Sequence, residues 1–349
     1  MLSKMFTSSH GASLAAKAKI VPMAIGTLVM FAGAGGLAHA ATYQWTVASG
    51  NWATPGGWNP SGPPAPNDTA FLNYGGNAGA TATVNSSTDY AGVVYDGIYS
   101  NNDAIAVATG GNLTVNAALI VGDVNNATPT VTTTGTVNQT GGTMNINEGT
   151  LGTNGGGNTE GIYNLSGGTL SVNYTDGTGS TGLVIGTGTN NTGYLGISGG
   201  TFTSAAPIQL AYGTMLVAGS SGSASYTGTG TGLTVSADGI LSFIMGATSV
   251  SDVNLNSGAL SLASGSTLTV NGSAYTGNGG VIPLVGFGSS TGNFSNIALT
   301  GFSSRFNESV VPTANALNLD ITVVPEPATL GLVALGGMGL LLLKRRRRV

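Results

Sequence analysis

Side chains able to do acid–base or nucleophilic chemistry are distributed very unevenly along the 349 residues. Both histidines, His10 and His39, precede Ala41, and there is no cysteine. Of the nine basic residues, only Arg305 falls between Ala41 and Leu343. Lys4, Lys17 and Lys19 come before that stretch, and Lys344, Arg345, Arg346, Arg347 and Arg348 come after it. A Ser–His–Asp triad, a Cys–His pair and a lysine base each need a residue type that the stretch lacks. Carboxylates remain: Asp68, Asp89, Asp96, Asp103, Asp123, Glu148, Glu160, Asp176, Asp238, Asp252, Glu308, Asp320 and Glu326. They stand singly at loop-like positions, with no two paired by sequence, so hydrolysis of a glycoside by two flanking carboxylates has no candidate pair. A lyase would need a strong base, for which Arg305 is the sole candidate, and it stands outside the clear repeats. The expectation is that the chain is not an enzyme and uses no cofactor.

Binding chemistry is sparse as well. A metal would have to accept oxygen ligands alone, which points to Ca²⁺; Asp123, Asp176 and Asp238 sit in loop-like sequence, but runs of Gly-Gly-x-Gly-x-Asp are absent, and no metal site is expected. Trp45, Trp52 and Trp58, all the tryptophans of the chain, fall within 14 residues. Their indoles suit capping one end of a β structure, or stacking on the sugar rings of an extracellular polysaccharide. From Ala41 to Leu343 there are 13 acids and one base, 13 − 1 = 12 net negative charges. A surface so acidic and so poor in bases excludes nucleic acid as a partner, because phosphate contacts need Lys and Arg.

The elements that carry these residues are read from composition and repeats. Charged residues are 6% of the chain, against roughly 25% in ordinary soluble domains, while hydrophobics reach 41% and glycine fills 59 positions. Disorder calls for low hydrophobicity with high net charge, so a repetitive β architecture is favoured. Three segments align without gaps: Gly135–Ile146, Gly161–Val172 and Gly193–Ser204, with Gly-Gly pairs beginning at Gly141, Gly167 and Gly199, hence spacings of 26 and 32. Val137, Tyr163 and Leu195 share a column; so do Gln139, Leu165 and Ile197, then Met144, Leu170 and Phe202, then Ile146, Val172 and Ser204. Apolar columns alternate with Asn, Thr and Ser, the period-2 signature of a strand with one buried face; Gln139 and Ser204 are exceptions. Each Gly-Gly pair predicts a tight corner with positive φ.

Further apolar runs ending in glycine, Leu151-Gly152, Leu183–Gly186 and Ala117–Gly122, supply a third strand per unit. Each unit then reads strand, Gly-Gly corner, strand, turn, strand, one turn of a right-handed parallel β-helix (a three-sided β-solenoid) in an all-β protein. Weaker units at Thr109–Val115, Gly232–Phe243 and Leu255–Val270 extend it. No single strand buries its apolar face alone; stacked units do.

The two ends differ in kind. Lys4, Lys17 and Lys19 precede an apolar run from Ile20 to Leu37 that closes in Ala38-His39-Ala40 before Ala41, the form of a secretory signal peptide cut by signal peptidase after Ala40. At the other end Pro325-Glu326-Pro327 is followed by an apolar stretch, Ala328–Leu343, then Lys344 and Arg345–Arg348. Its 16 residues span roughly 24 Å as a helix, short against a hydrocarbon core of roughly 30 Å. The basic cluster belongs on the cytoplasmic side.

This tail, from Val324 to Val349, resembles the PEP-CTERM sorting signal of Gram-negative bacteria, with all three parts in order. The resemblance implies recognition at Pro325, Glu326 and Pro327 by an exosortase-type membrane protease, brief residence in the inner membrane, and release to the cell surface or to an extracellular, biofilm-type matrix. The repeats, with the Trp-rich opening and Asp68-Thr69-Ala70, more loosely resemble secreted proteins with autotransporter-like β-strand repeats. The expected organisation is a signal peptide (1–40), a Trp-rich N-terminal cap (41–79), a β-solenoid (80–322) and a sorting signal (323–349) with a transmembrane helix at 328–343. The expected role is a structural or adhesive surface protein, and the alternative is a carbohydrate-binding module.

Overall fold

The computed structural model describes residues 40–324 apart from 73–78, 98–102, 124–131, 154–157 and 175–181, together with Leu335 and Met338. The chain divides into two units, Met1–Ala38 and His39–Val349, and the first lies outside the described residues. Among the described residues between Thr42 and Val323 the regular structure is strand, save one 3-10 turn at Pro55–Gly57. Among the described residues 26 strands join in one hydrogen-bonded sheet, most of them in parallel.

The repeat alignment is the register of this sheet. Asn158–Val172 lies parallel to Thr132–Leu151, with Tyr163 beside Val137, Leu165 beside Gln139, Leu170 beside Met144 and Val172 beside Ile146. On its other edge Tyr163 meets Leu195, Leu165 meets Ile197, Leu170 meets Phe202 and Val172 meets Ser204. Burial alternates along the strand, and Met144, Leu165, Leu170 and Val172 are all buried. Stacking like on like gives every apolar side chain an apolar neighbour one rung away, so the core is continuous.

From Leu183 to Asn271 each strand pairs in parallel with the third one after it. Leu183–Ile185 pairs Ile208–Leu210, which pairs Thr231–Val235, then Ala259–Leu262, then Ser289–Thr291. Asn191–Ile197, Gly213–Ala218, Ile240–Ile244, Thr267–Asn271 and Asn296–Thr300 form a second such series. The Gly-Gly pairs are corners in this parallel arrangement and not hairpin turns. Their second glycines, Gly142, Gly168 and Gly200, have φ of 63°, 76° and 71°. A Cβ on Gly168 would stand 2.3 Å from the Gly142 carbonyl oxygen, so the corners stack too closely for any side chain.

Two boundaries differ from expectation. Parallel pairing begins before residue 80: Thr42–Trp45 pairs Thr69–Phe71, and Ser49–Asn51 pairs Thr81–Val84 across position 79. The Trp-rich opening therefore belongs to the ladder. At the other end the expected repeat to residue 322 stops early. Gly280–Gly286 pairs antiparallel with Ala316–Val323, which pairs antiparallel with Phe306–Pro312. A hairpin thus covers one edge of the last parallel strands, as an exposed sheet edge requires.

The two residues that broke the apolar columns are buried with partners. The Gln139 amide donates to the Thr169 carbonyl at 2.9 Å and accepts from the Tyr163 hydroxyl. The Ser204 hydroxyl donates to the Ala206 carbonyl at 2.6 Å. No helix among the described residues is long and apolar enough to cross a membrane. The expected helix at 328–343 lies outside them, save Leu335 and Met338, both exposed.

Candidate functional site

The tryptophans present no face to a sugar. Trp45 and Trp52 are 0% exposed and Trp58 3%. Trp58 stands edge-on between the other two, at 4.9 and 4.8 Å between ring centroids, and donates its indole N–H to the Trp52 carbonyl at 2.7 Å. A Cβ at Gly57 would lie 2.7 Å from the Trp45 ring. Stacking on polysaccharide needs an open aromatic face, and these faces are spent on one another. The expectation of sugar stacking at Trp45, Trp52 and Trp58 is corrected accordingly: they fill the first rungs of the core.

The other expected residues scatter. Ala40 is exposed and Ala41 half-buried, whereas Ala38 lies outside the described residues, as do Pro325, Glu326, Pro327, Lys344 and Arg345–Arg348. Val324, just before the expected sorting residues, donates its backbone N–H to the Arg305 carbonyl at 2.7 Å. The Arg305 guanidinium donates to the carbonyls of Thr276 and Gly277 at 3.1 and 3.0 Å and sits over the Phe306 ring, which ties it to the C-terminal hairpin. Asp123 accepts from the Thr153 hydroxyl at 2.7 Å; Asp176 is outside the described residues.

Among the described residues Asp68, Asp89, Asp96 and Asp103 are buried, the last two completely. Asp96 and Asp103 are 0% exposed, at the end of Asp89–Asp96 and the start of Asp103–Val107. Asp103 accepts the Ala80 backbone N–H at 3.0 Å. Neither oxygen of Asp96 has a well-formed hydrogen bond. Burial, and then the neighbouring Asp103 charge, push the Asp96 carboxyl well above the usual carboxylate range; the Thr136 backbone amide pulls the other way and offsets only part of this. A proton on Asp96 is the cheap way to keep this pair buried.

A surface groove of about 320 Å³ opens on the outer face of four successive rungs, lined among others by Glu160, Thr192, Tyr194, Tyr212, Thr214 and Asp238. Register explains how residues 78 apart meet. Glu160 pairs with Thr192. The Gly193–Gly213 and Thr214–Ile240 pairings, carried back one and two residues, align Thr192 with Tyr212 and Tyr212 with Asp238. The adjacent outward column runs Ile162, Tyr194, Thr214 and Ile240. Inward neighbours Leu195, Met215 and Leu241 are fully buried, so Tyr194 points outward by the alternation of its strand, and Tyr212, at the bend before Gly213–Ala218, lines the same groove.

Gly196 makes room for one of these rings. A Cβ there would lie 2.7 Å from Tyr194 Cε1, so the ring lies along its own strand over a residue without a side chain. The preceding rungs carry Asn138 and Asn164 in that column, linked by an amide–amide hydrogen bond of 3.0 Å. Partial burial pushes the Tyr194 phenol up. Glu160 and Asp238 stand three rungs apart, roughly 14 Å at strand spacing, beyond the roughly 5–9.5 Å that separates the two carboxylates of glycoside hydrolases.

Residues 323–348 match the PEP-CTERM protein-sorting motif. The motif implies export and sorting through an exosortase-type system. No curated protein and no solved structure matches the chain.

Proposed function

We propose that this chain is a structural or adhesive protein of the cell surface or extracellular matrix of a Gram-negative bacterium, without enzymatic activity, delivered by an exosortase-type protease after signal peptidase has acted at Ala40-Ala41. The sorting motif at 323–348 is the observation that carries this reading. Its Arg-rich end holds the tail in the cytoplasm while the acidic body lies beyond the membrane, so a cut near Pro325–Pro327 frees nearly the whole chain.

In this reading the body is a three-sided parallel β-helix. The support is the parallel pairing of each strand between Leu183 and Asn271 with the third one after it, together with the positive-φ glycine corners. The hand is right, because parallel crossovers are right-handed in about 98% of cases. Such a body stabilises itself by stacking and needs neither disulfide nor metal, and it offers a long, regular, mostly uncharged surface.

The experiment is fractionation of cells that express the intact chain or a chain with residues 325–349 removed. The intact chain should become accessible to protease added outside the cell, and cell-to-cell or cell-to-surface adhesion should fall without it. Equal surface exposure of both chains contradicts sorting by the tail, and unchanged adhesion in cells lacking the protein contradicts the structural role.

A further inference from the structure

The groove across the rungs of Glu160, Thr192, Tyr212 and Asp238 departs in composition from the surface around it. Outward positions of the repeats are mostly Asn, Ser and Thr. Here two half-buried tyrosines, Tyr194 and Tyr212, stand diagonally in adjacent columns, with Thr192 and Thr214 completing the square. Half-buried Glu160 and exposed Asp238 close the two ends of the column. Aromatic faces beside hydroxyls and carboxylates are what a sugar chain requires. The C–H face of a pyranose stacks on a phenol ring, and its hydroxyls donate to oxygen acceptors.

We propose that this groove binds one neutral, linear polysaccharide chain laid across the strands, with Tyr194 and Tyr212 stacking on sugar faces and Glu160 and Asp238 accepting hydrogen bonds from hydroxyls. Neutrality follows from charge. The groove holds two carboxylates and no base, within a segment of 12 net negative charges (13 acids, one base), so a uronic-acid or sulfated polymer is repelled. Linearity follows from shape, since the columns run straight over four rungs, roughly 14 Å from first to last at strand spacing. The volume, about 320 Å³, is at the lower end for a ligand pocket, roughly 300–1,000 Å³; it suits a short stretch of a longer chain, with the remainder in solvent. Carboxylates this far apart hold a sugar and do not cut it.

This inference is independent of how the protein is sorted and is tested separately. Isothermal titration is carried out on the full chain, in a detergent without a sugar headgroup, with three neutral β-linked hexasaccharides of glucose, mannose and xylose and with hexagalacturonate. At least one neutral hexasaccharide should bind, and hexagalacturonate should not. Tyr194→Ala and Tyr212→Ala should each weaken binding about tenfold, while Tyr194→Phe and Tyr212→Phe, which keep the ring, should stay within about twofold of the parent. Asp238→Ala, an exposed turn substitution, should weaken binding with no change in thermal unfolding, which separates loss of the site from loss of fold. Failure of all three neutral sugars, equal binding of hexagalacturonate, or binding indifferent to both alanine variants overturns the proposal.

Discussion

The backbone nitrogen of Ala41 donates to one carboxylate oxygen of Asp68 at 2.7 Å, and the other oxygen accepts from the Ala65 nitrogen at the same distance. Asp68 is only 6% exposed. If signal peptidase cuts after Ala40, the Ala41 amide becomes an α-ammonium group in contact with a nearly buried carboxylate, and a neutral hydrogen bond becomes a charge-assisted one. Asp68→Asn should then cost about 1.5–3 kcal/mol in a chain beginning at Ala41 and clearly less in one that retains Ala40. Urea unfolding of the four chains measures it. Equal costs in both backgrounds would show that the new terminus does not dock there.

The stacked core gives a second expectation. Leu170 lies between Met144 and Phe202 in the ladder, and all three are buried. Leu170→Ala should cost about 2–5 kcal/mol, as large-to-small core substitutions do. Ser171→Ala, on the neighbouring outward position, removes the acceptor of the 3.2 Å bond from the Thr203 hydroxyl and should cost only about 0.5–1.5 kcal/mol. Comparable losses at the two positions would deny the inward–outward alternation.

The corner glycines separate two costs. Gly168 and Gly219 both have positive φ, 76° and 69°. A Cβ at Gly168 meets a backbone oxygen at 2.3 Å, whereas one at Gly219 meets nothing within 4 Å. Gly219→Ala should therefore cost about 1–2 kcal/mol, the left-handed penalty alone. Gly168→Ala adds a steric clash and should cost markedly more. Thermal unfolding midpoints of the two variants rank them, and the reverse order would contradict the stacked corner.

Asp96 gives a pH dependence whose sign follows from its surroundings. Its folded pKa is raised by burial and by Asp103, so the folded chain binds a proton more tightly than the unfolded one. Stability from this group is fully present below the unfolded carboxylate value and is lost as pH rises toward the folded one. Asp96→Asn, which keeps the shape without the charge, should raise the unfolding midpoint at pH 7 and flatten its fall with pH. A midpoint lowered at pH 7, with the slope unchanged, would mean that the carboxylate is needed in its charged form.

Much of the ladder was legible because parallel, in-register stacking turns sequence repetition into spatial adjacency. The column of Met144, Leu170 and Phe202 is a line of neighbours for the same reason that it is a line in the alignment. The groove was not legible. Glu160, Tyr194, Tyr212 and Asp238 come from four rungs of unequal length, and each looks ordinary within its own strand. The signal that was there is Gly196, standing where the earlier repeats carry Asn138 and Asn164. Asp96 and Asp103 were also missed as a pair, because they belong to different strands, Asp89–Asp96 and Asp103–Val107, and nothing in the residue pattern says that one lies beside the other. The tryptophans left two readings open for the opposite reason: their close spacing suits a sugar platform and a packed cluster equally, and only burial separates the two. The antiparallel end around Gly280–Gly286 has no repeat to read.

The central claim is that the tail is a temporary anchor removed during sorting. By sequence, proline at 325 and 327 disfavours helix at the residue before each, which suits recognition by a protease, and the 16 apolar residues of Ala328–Leu343 are few for a membrane span. Mass spectrometry of the protein recovered from the cell surface should find a C-terminal peptide ending close to Pro325–Pro327, and Glu326→Ala should suppress that peptide. Intact Val349 on the surface protein, or unchanged processing of the Glu326→Ala chain, would contradict the account.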